Sequence, residues 1–263
     1  IFGAQYFGKG NHKGHMHSFR FKLYASLTMT AATILLFITK GSTLISLYLT
    51  DTTGSGATET ALQYGLEYLA IMMIGLIPFA INQSYATNIK ETGQTMIPMI
   101  ASFAAVGINA VLDYILIFGL GPIPKMGVVG AALATVIARY IEALIVIVWA
   151  HTNRAKNRYL EGAYRGFGIP KAEFKAILIK GLPLMLNEVF WAAGMTTVTQ
   201  CYSVRGLEVI AGLNIATTIT NLFNIIYIQL GGCISIVVGQ YLGAGKLKEA
   251  KDADNKMIVF SVF

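Results

Sequence analysis

The chain has 263 residues, 55% of them hydrophobic and only 13% charged, against roughly 25% charged in a typical soluble domain. That balance excludes an ordinary soluble enzyme or binding module and predicts an all-α polytopic membrane protein. The net charge of +7 does not call for a nucleic-acid partner, because the basic residues sit in loops between apolar windows rather than in one binding patch.

Apolar windows long enough to cross a bilayer recur at about residues 23–49, 64–87, 96–120, 128–150, 177–200 and 210–241. Shorter apolar pieces lie at residues 1–7 and from Met257 onward. The sequence opens in one apolar segment and closes in another, so it is expected to be a piece of a longer protein, truncated at both ends.

In chain order, IFGAQYFGKGNHKG comes first and IVVGQYLGAGKLKE returns from Ile236. At one constant offset, Gln5 aligns with Gln240, Tyr6 with Tyr241, Gly8 with Gly243, Gly10 with Gly245 and Lys13 with Lys248. Six spans between the copies predict parallel repeats, a common transporter construction. GQYLGAGK is no phosphate loop: Gln240 stands where the first Gly of that motif belongs, and Leu247 replaces the hydroxyl. Its glycines are expected to end a helix and turn the chain.

Residues 11–22, with His12, His15 and His17, read as a solvated basic loop rather than a metal site. Residues 51–59 read as a polar turn, and Pro78 should kink the following span. Next comes INAVLDYILIFGLGPIPKMGVVGAALATVIARY, from residue 108. Asn109 and Asp113 are four residues apart and share a helix face. A carboxylate within an apolar run is costly in hydrocarbon and marks a functional position. Gly127, Gly130, Ala131 and Ala134 should let helices approach closely, and Arg139 with Glu142 is expected to form an ion pair.

Residues 152–176 carry Arg154, Lys156, Arg158, Arg165, Lys171 and Lys175 and read as a linker between an N-terminal unit (1–151) and a C-terminal one (177–263). The span after the linker holds Pro183 and Glu188. Pro183 loosens a helix turn, and the Glu188 carboxylate beside Asn187 offers hard oxygen ligands of the kind Na⁺ takes. Polar residues from Asn214 to Gln229 dot the last span, where Gly231 and Gly232 should allow a bend. Cys201 and Cys233 are expected to be buried thiols.

Basic residues concentrate in alternate loops: Lys9 to Lys22, Lys90, Arg154 to Lys180 and Lys246 to Lys256. By the positive-inside rule those loops face the cytoplasm. No His/Glu metal motif, Ser/His/Asp arrangement or cofactor loop is present, so an enzyme is not expected.

GQYLGAGK, NAVLDYILIFGLG, MGVVGAALATVIAR and GLPLMLNEVFWAAG together resemble the multidrug and toxic compound extrusion (MATE) family, from the end of its second helix to the start of its ninth. The resemblance implies two six-helix lobes related as parallel repeats, flanking a cleft that opens alternately to the two sides. It implies antiport of organic, often cationic compounds driven by Na⁺ or H⁺, in the cell membrane, as a monomer and with no cofactor beyond the coupling ion. Asn109 and Asp113 match the polar pair of the family's fifth helix, in its cation or proton site. Glu188 matches an acidic residue of the seventh, in a second cation site. The alternative is a lipid-linked saccharide flippase of the same wider superfamily, which would line its cleft with several cationic side chains. Arg139 is the one basic residue deep in a span.

Overall fold

The computed structural model describes residues 2–49, 57–166 and 168–262. Among them the chain is all-helical: α1 (Phe2–Gly8), α2 (His12–Ser46), α3 (Ala57–Glu91), α4 (Met96–Phe118), α5 (Val128–Thr152), a 3-10 turn (Arg158–Leu160), α6 (Lys171–Ser203), α7 (Leu207–Gly243) and α8 (Leu247–Val262). Six of these, α2 to α7, are long and apolar enough to cross a membrane. They correspond one to one to the six windows read from hydropathy. Most of the polar turn expected at 51–59 lies outside the described residues.

α3 packs on α2 and α5, and α4 packs on α5. Gly130 makes the last contact close: a Cβ there would lie 2.6 Å from the Leu116 backbone oxygen, so only glycine fits. α6 and α7 touch each other lightly and leave broad apolar faces open, Phe190, Trp191, Tyr227 and Ile228 among them. Cys201 and Cys233 lie on those faces as exposed free thiols. The expectation that they are buried fails because no neighbouring helix covers those faces among the described residues. α7 runs unbroken through Gly231 and Gly232, so the helix is not interrupted where a bend was expected.

The largest correction concerns residues 11–22. They form the start of α2 and not a loop, with the Asn11 side chain accepting from Gly14 N at 2.9 Å as an N-cap. His15 and Phe19 are buried, and Arg20 is 5% exposed. They are buried by the linker, which folds back over them, together with α1 and α3. Tyr159, Leu160 and Ala163 join Phe19, Tyr85, Ile89 and Val146 in one apolar cluster. Phe19 meets the rings of Tyr85 and Tyr159 at 5.1 and 5.2 Å. Burial pushes the Tyr159 hydroxyl above the usual phenol range, so the ring stays neutral at physiological pH.

Arg20 fixes the linker. Its guanidinium donates to the carbonyls of Ala163 (2.8 Å), Gly168 (2.8 Å), Gly162 (2.7 Å) and Arg165 (3.1 Å). A planar fork with five N–H groups can serve four oxygens at once, which an ammonium cannot. Arg20→Lys is therefore expected to strip at least one carbonyl of its partner and destabilise the docked linker by about 2 kcal/mol. Limited proteolysis at Arg165 checks this: the variant should be cut faster, and an unchanged rate would show that the apolar cluster alone holds the linker.

The glycines of the repeat do end helices, identically in both copies. Gly10 and Gly245 take φ of 72° and 75°, and Asn11 N reaches Tyr6 O at 2.9 Å while Lys246 N reaches Tyr241 O at 3.0 Å. These are matching left-handed helix caps at equivalent repeat positions.

Candidate ion-coupling site

α4 runs to Phe118, and the chain turns through Gly119 and returns as α5. Met126 N bonds back to Leu116 O at 2.9 Å, and the Gly130 contact then holds the α4–α5 seam shut. On that seam Asn109 lies between the two helices. In the amide orientation that satisfies both its ends, its nitrogen donates to Asp113 Oδ2 at 3.3 Å and its oxygen accepts from Thr135 N at 3.2 Å. Asp113 is half-buried, and its other oxygen, Oδ1, is fully buried with no hydrogen-bond partner among the described residues. Asp113 sits roughly 8 Å inside the helix end at about 1.5 Å per residue. A buried carboxylate oxygen ordinarily has a partner; one left open can take a proton or a cation.

The structure brings Asn109 and Asp113 together, as their four-residue spacing predicts, and adds the backbone N–H of Thr135, which was not expected. No residue type signals a backbone donor. The pairing expected of Glu142 fails. Instead of pairing with Arg139, Glu142 accepts from Ser102 Oγ at 2.6 Å across the same α4–α5 seam. Arg139 turns the other way and lays its guanidinium over the Phe79 ring of α3, 5.1 Å from the centroid. Residues three apart on a helix diverge by about 60°; because α5 is packed between α3 and α4, that angle sends each side chain to a different neighbour.

Glu188 and Asn187 stand exposed on α6. Among the described residues no hydrogen bond or ion pair reaches Glu188, and none joins it to Asn109 or Asp113. α6 is held near its start instead, where His17 Nδ1 lies 2.7 Å from Glu173 Oε2 and Phe21 packs edge-on against Phe174. The structure thus keeps the two predicted carboxylates in separate surroundings. No group of three or more His, Cys, Asp or Glu side chains able to hold a metal occurs among the described residues.

The MatE family model matches residues 1–115 and 183–263. The chain belongs to the MatE family. It is 29% identical over 180 residues to a probable multidrug resistance protein NorM of Thermotoga maritima, covering 68% of this chain and 38% of that protein. To the probable NorM of Halalkalibacterium halodurans it is 25% identical over 241 residues, covering 91% of this chain and 51% of the relative. The chain thus spans about half or less of the length of these relatives. Among solved structures, it superposes with a TM-score of 0.72 and 21% identity on an outward-facing multidrug resistance MATE family transporter, covering 99% of this chain and 56% of that one. An inward-facing MATE transporter matches with a TM-score of 0.69 at 22% identity, over 99% of this chain and 57% of that one. The MATE fold, in a fragment truncated relative to these proteins, is thereby established.

Proposed function

We propose that the full-length protein exports organic, often cationic compounds by antiport against Na⁺ or H⁺, through alternating access between two lobes. Residues 1–151 belong to the first lobe and 177–263 to the second, with 152–176 the cytoplasmic linker. The observation that carries this reading is the Asn109–Asp113 pair, with its buried, unpartnered carboxylate oxygen at the tightly packed α4–α5 seam. A carboxylate with one oxygen buried and left without a partner can bind a proton or cation in one conformation and release it in another. Family membership and relatives named for multidrug resistance support the substrate class. Glu188, open on α6, is the second coupling carboxylate and a ligand for Na⁺ where that is the driving ion.

Cells making the full-length protein should accumulate less of a fluorescent organic cation than cells without it; equal accumulation contradicts export. Direction depends on sidedness, which single cysteines test in a cysteine-free background. Asn157 is fully buried, so the exposed Lys156 is the position to use for the linker, and Lys125 for the opposite side. Lys156→Cys should resist an impermeant thiol reagent in intact cells, and Lys125→Cys should be labelled. The reverse pattern would invert the lobes.

A further inference from the structure

The two copies of the repeat touch each other. α1 packs on α7, and the contact is reciprocal: a methyl group on Gly8 would collide with the backbone oxygen of Gln240, and one on Gly243 with that of Gln5. These are equivalent repeat positions, so each helix presents its glycine to the other's glutamine across a local quasi-twofold axis. Only glycine permits backbones so close.

Beside the crossing lies a buried charge. Glu91, the last residue of α3, is 1% exposed. Its Oε2 is 2.6 Å from Lys22 Nζ and 3.5 Å from His15 Nε2, both on α2, and Gly3 of α1 lies against the same carboxylate. The ion pair fixes the end of α3, whose last carbonyls have no partner within the helix. One of them, Glu91 O, accepts from the Gln240 side-chain amide of α7 at 2.7 Å. A single side chain therefore ties the end of the first lobe's α3 to the helix that carries the second copy of the repeat.

Resting on the alternating-access reading, we propose that this crossing is the cytoplasmic latch of the transporter. The reciprocal glycine contact and the Gln240–Glu91 bond hold the basic ends of the lobes together, and opening toward the cytoplasm breaks both. The two parts divide the task. The glycines set how closely α1 and α7 approach, and Glu91, held by Lys22, keeps the acceptor carbonyl within reach of Gln240.

The test uses the full-length transporter in liposomes, with Cys201 and Cys233 replaced by Ser and spin labels on Lys9→Cys and Lys248→Cys, both exposed positions. Electron–electron resonance distances should show a short and a long population whose ratio responds to ions or substrate. Gly243→Leu should remove the short population. Gln240→Ala, which only deletes atoms and so keeps the test decisive if the first variant does not fold, should lower the short-to-long ratio about fivefold, the shift expected for one net hydrogen bond. A ratio in Gln240→Ala equal to the unmutated one overturns the latch while leaving alternating access intact. A single distance in the unmutated protein under every ion and substrate condition overturns alternating access, and the latch with it.

Discussion

If the full-length protein exports as proposed, Asp113→Asn is expected to insert and fold normally and to lose gradient-driven export. Asparagine has the shape of aspartate and still offers an oxygen to the Asn109 amide, so the seam between α4 and α5 keeps its contacts. Loss of the 3.3 Å bond's charge should change stability by no more than about 1 kcal/mol. The asparagine side chain cannot carry a proton, and it binds cations far less well than a carboxylate. Coupling between sites is typically about 1–3 kcal/mol, or about 5–150-fold in affinity, so substrate accumulation against a gradient should fall by at least about fivefold. A large loss of thermal stability with export retained would instead make Asp113 a packing residue for Asn109.

Glu188→Gln separates the ion from the substrate. Because no hydrogen bond or ion pair pins Glu188 among the described residues, its neutralisation should leave stability within about 0.5 kcal/mol, as for surface substitutions generally. An ion biases the lobes only through its different affinity for their two arrangements. Removing the carboxylate therefore should abolish the response of substrate binding to Na⁺ or pH, while binding itself survives. Fluorescence titration of an organic cation, with and without Na⁺ and across pH, checks this. A response equal to that of the unmutated protein would exclude Glu188 from coupling.

What the sequence disclosed follows from which solvent each residue reports on. Hydropathy registers lipid, so the six spans and their order were legible. It does not register protein, and so α2 was placed near residue 23 when it begins at His12. His15, Arg20 and Lys22 look solvated by type, yet they face linker carbonyls and Glu91. The Asn11 cap was the available signal for the earlier start. The Asn109–Asp113 pair was legible because four-residue spacing fixes a shared face whatever surrounds it. The Arg139–Glu142 pair was not: spacing gives proximity within α5, but the helices on either side of α5 decide where each side chain turns. The repeat glycines were recognised as helix ends, and their contact with each other across α1 and α7 is a tertiary fact that no local pattern carries.

Cation-coupled export can be measured with purified full-length protein in liposomes loaded with one ion composition and diluted into another. An imposed inward or outward gradient of Na⁺ or H⁺ should drive a fluorescent organic cation in the opposite direction. An ionophore that collapses that gradient should stop the movement, and Asp113→Asn protein should show none. Substrate flux that is identical with and without either gradient, or that persists in Asp113→Asn at the unmutated rate, would show that export is not coupled to a cation through Asp113.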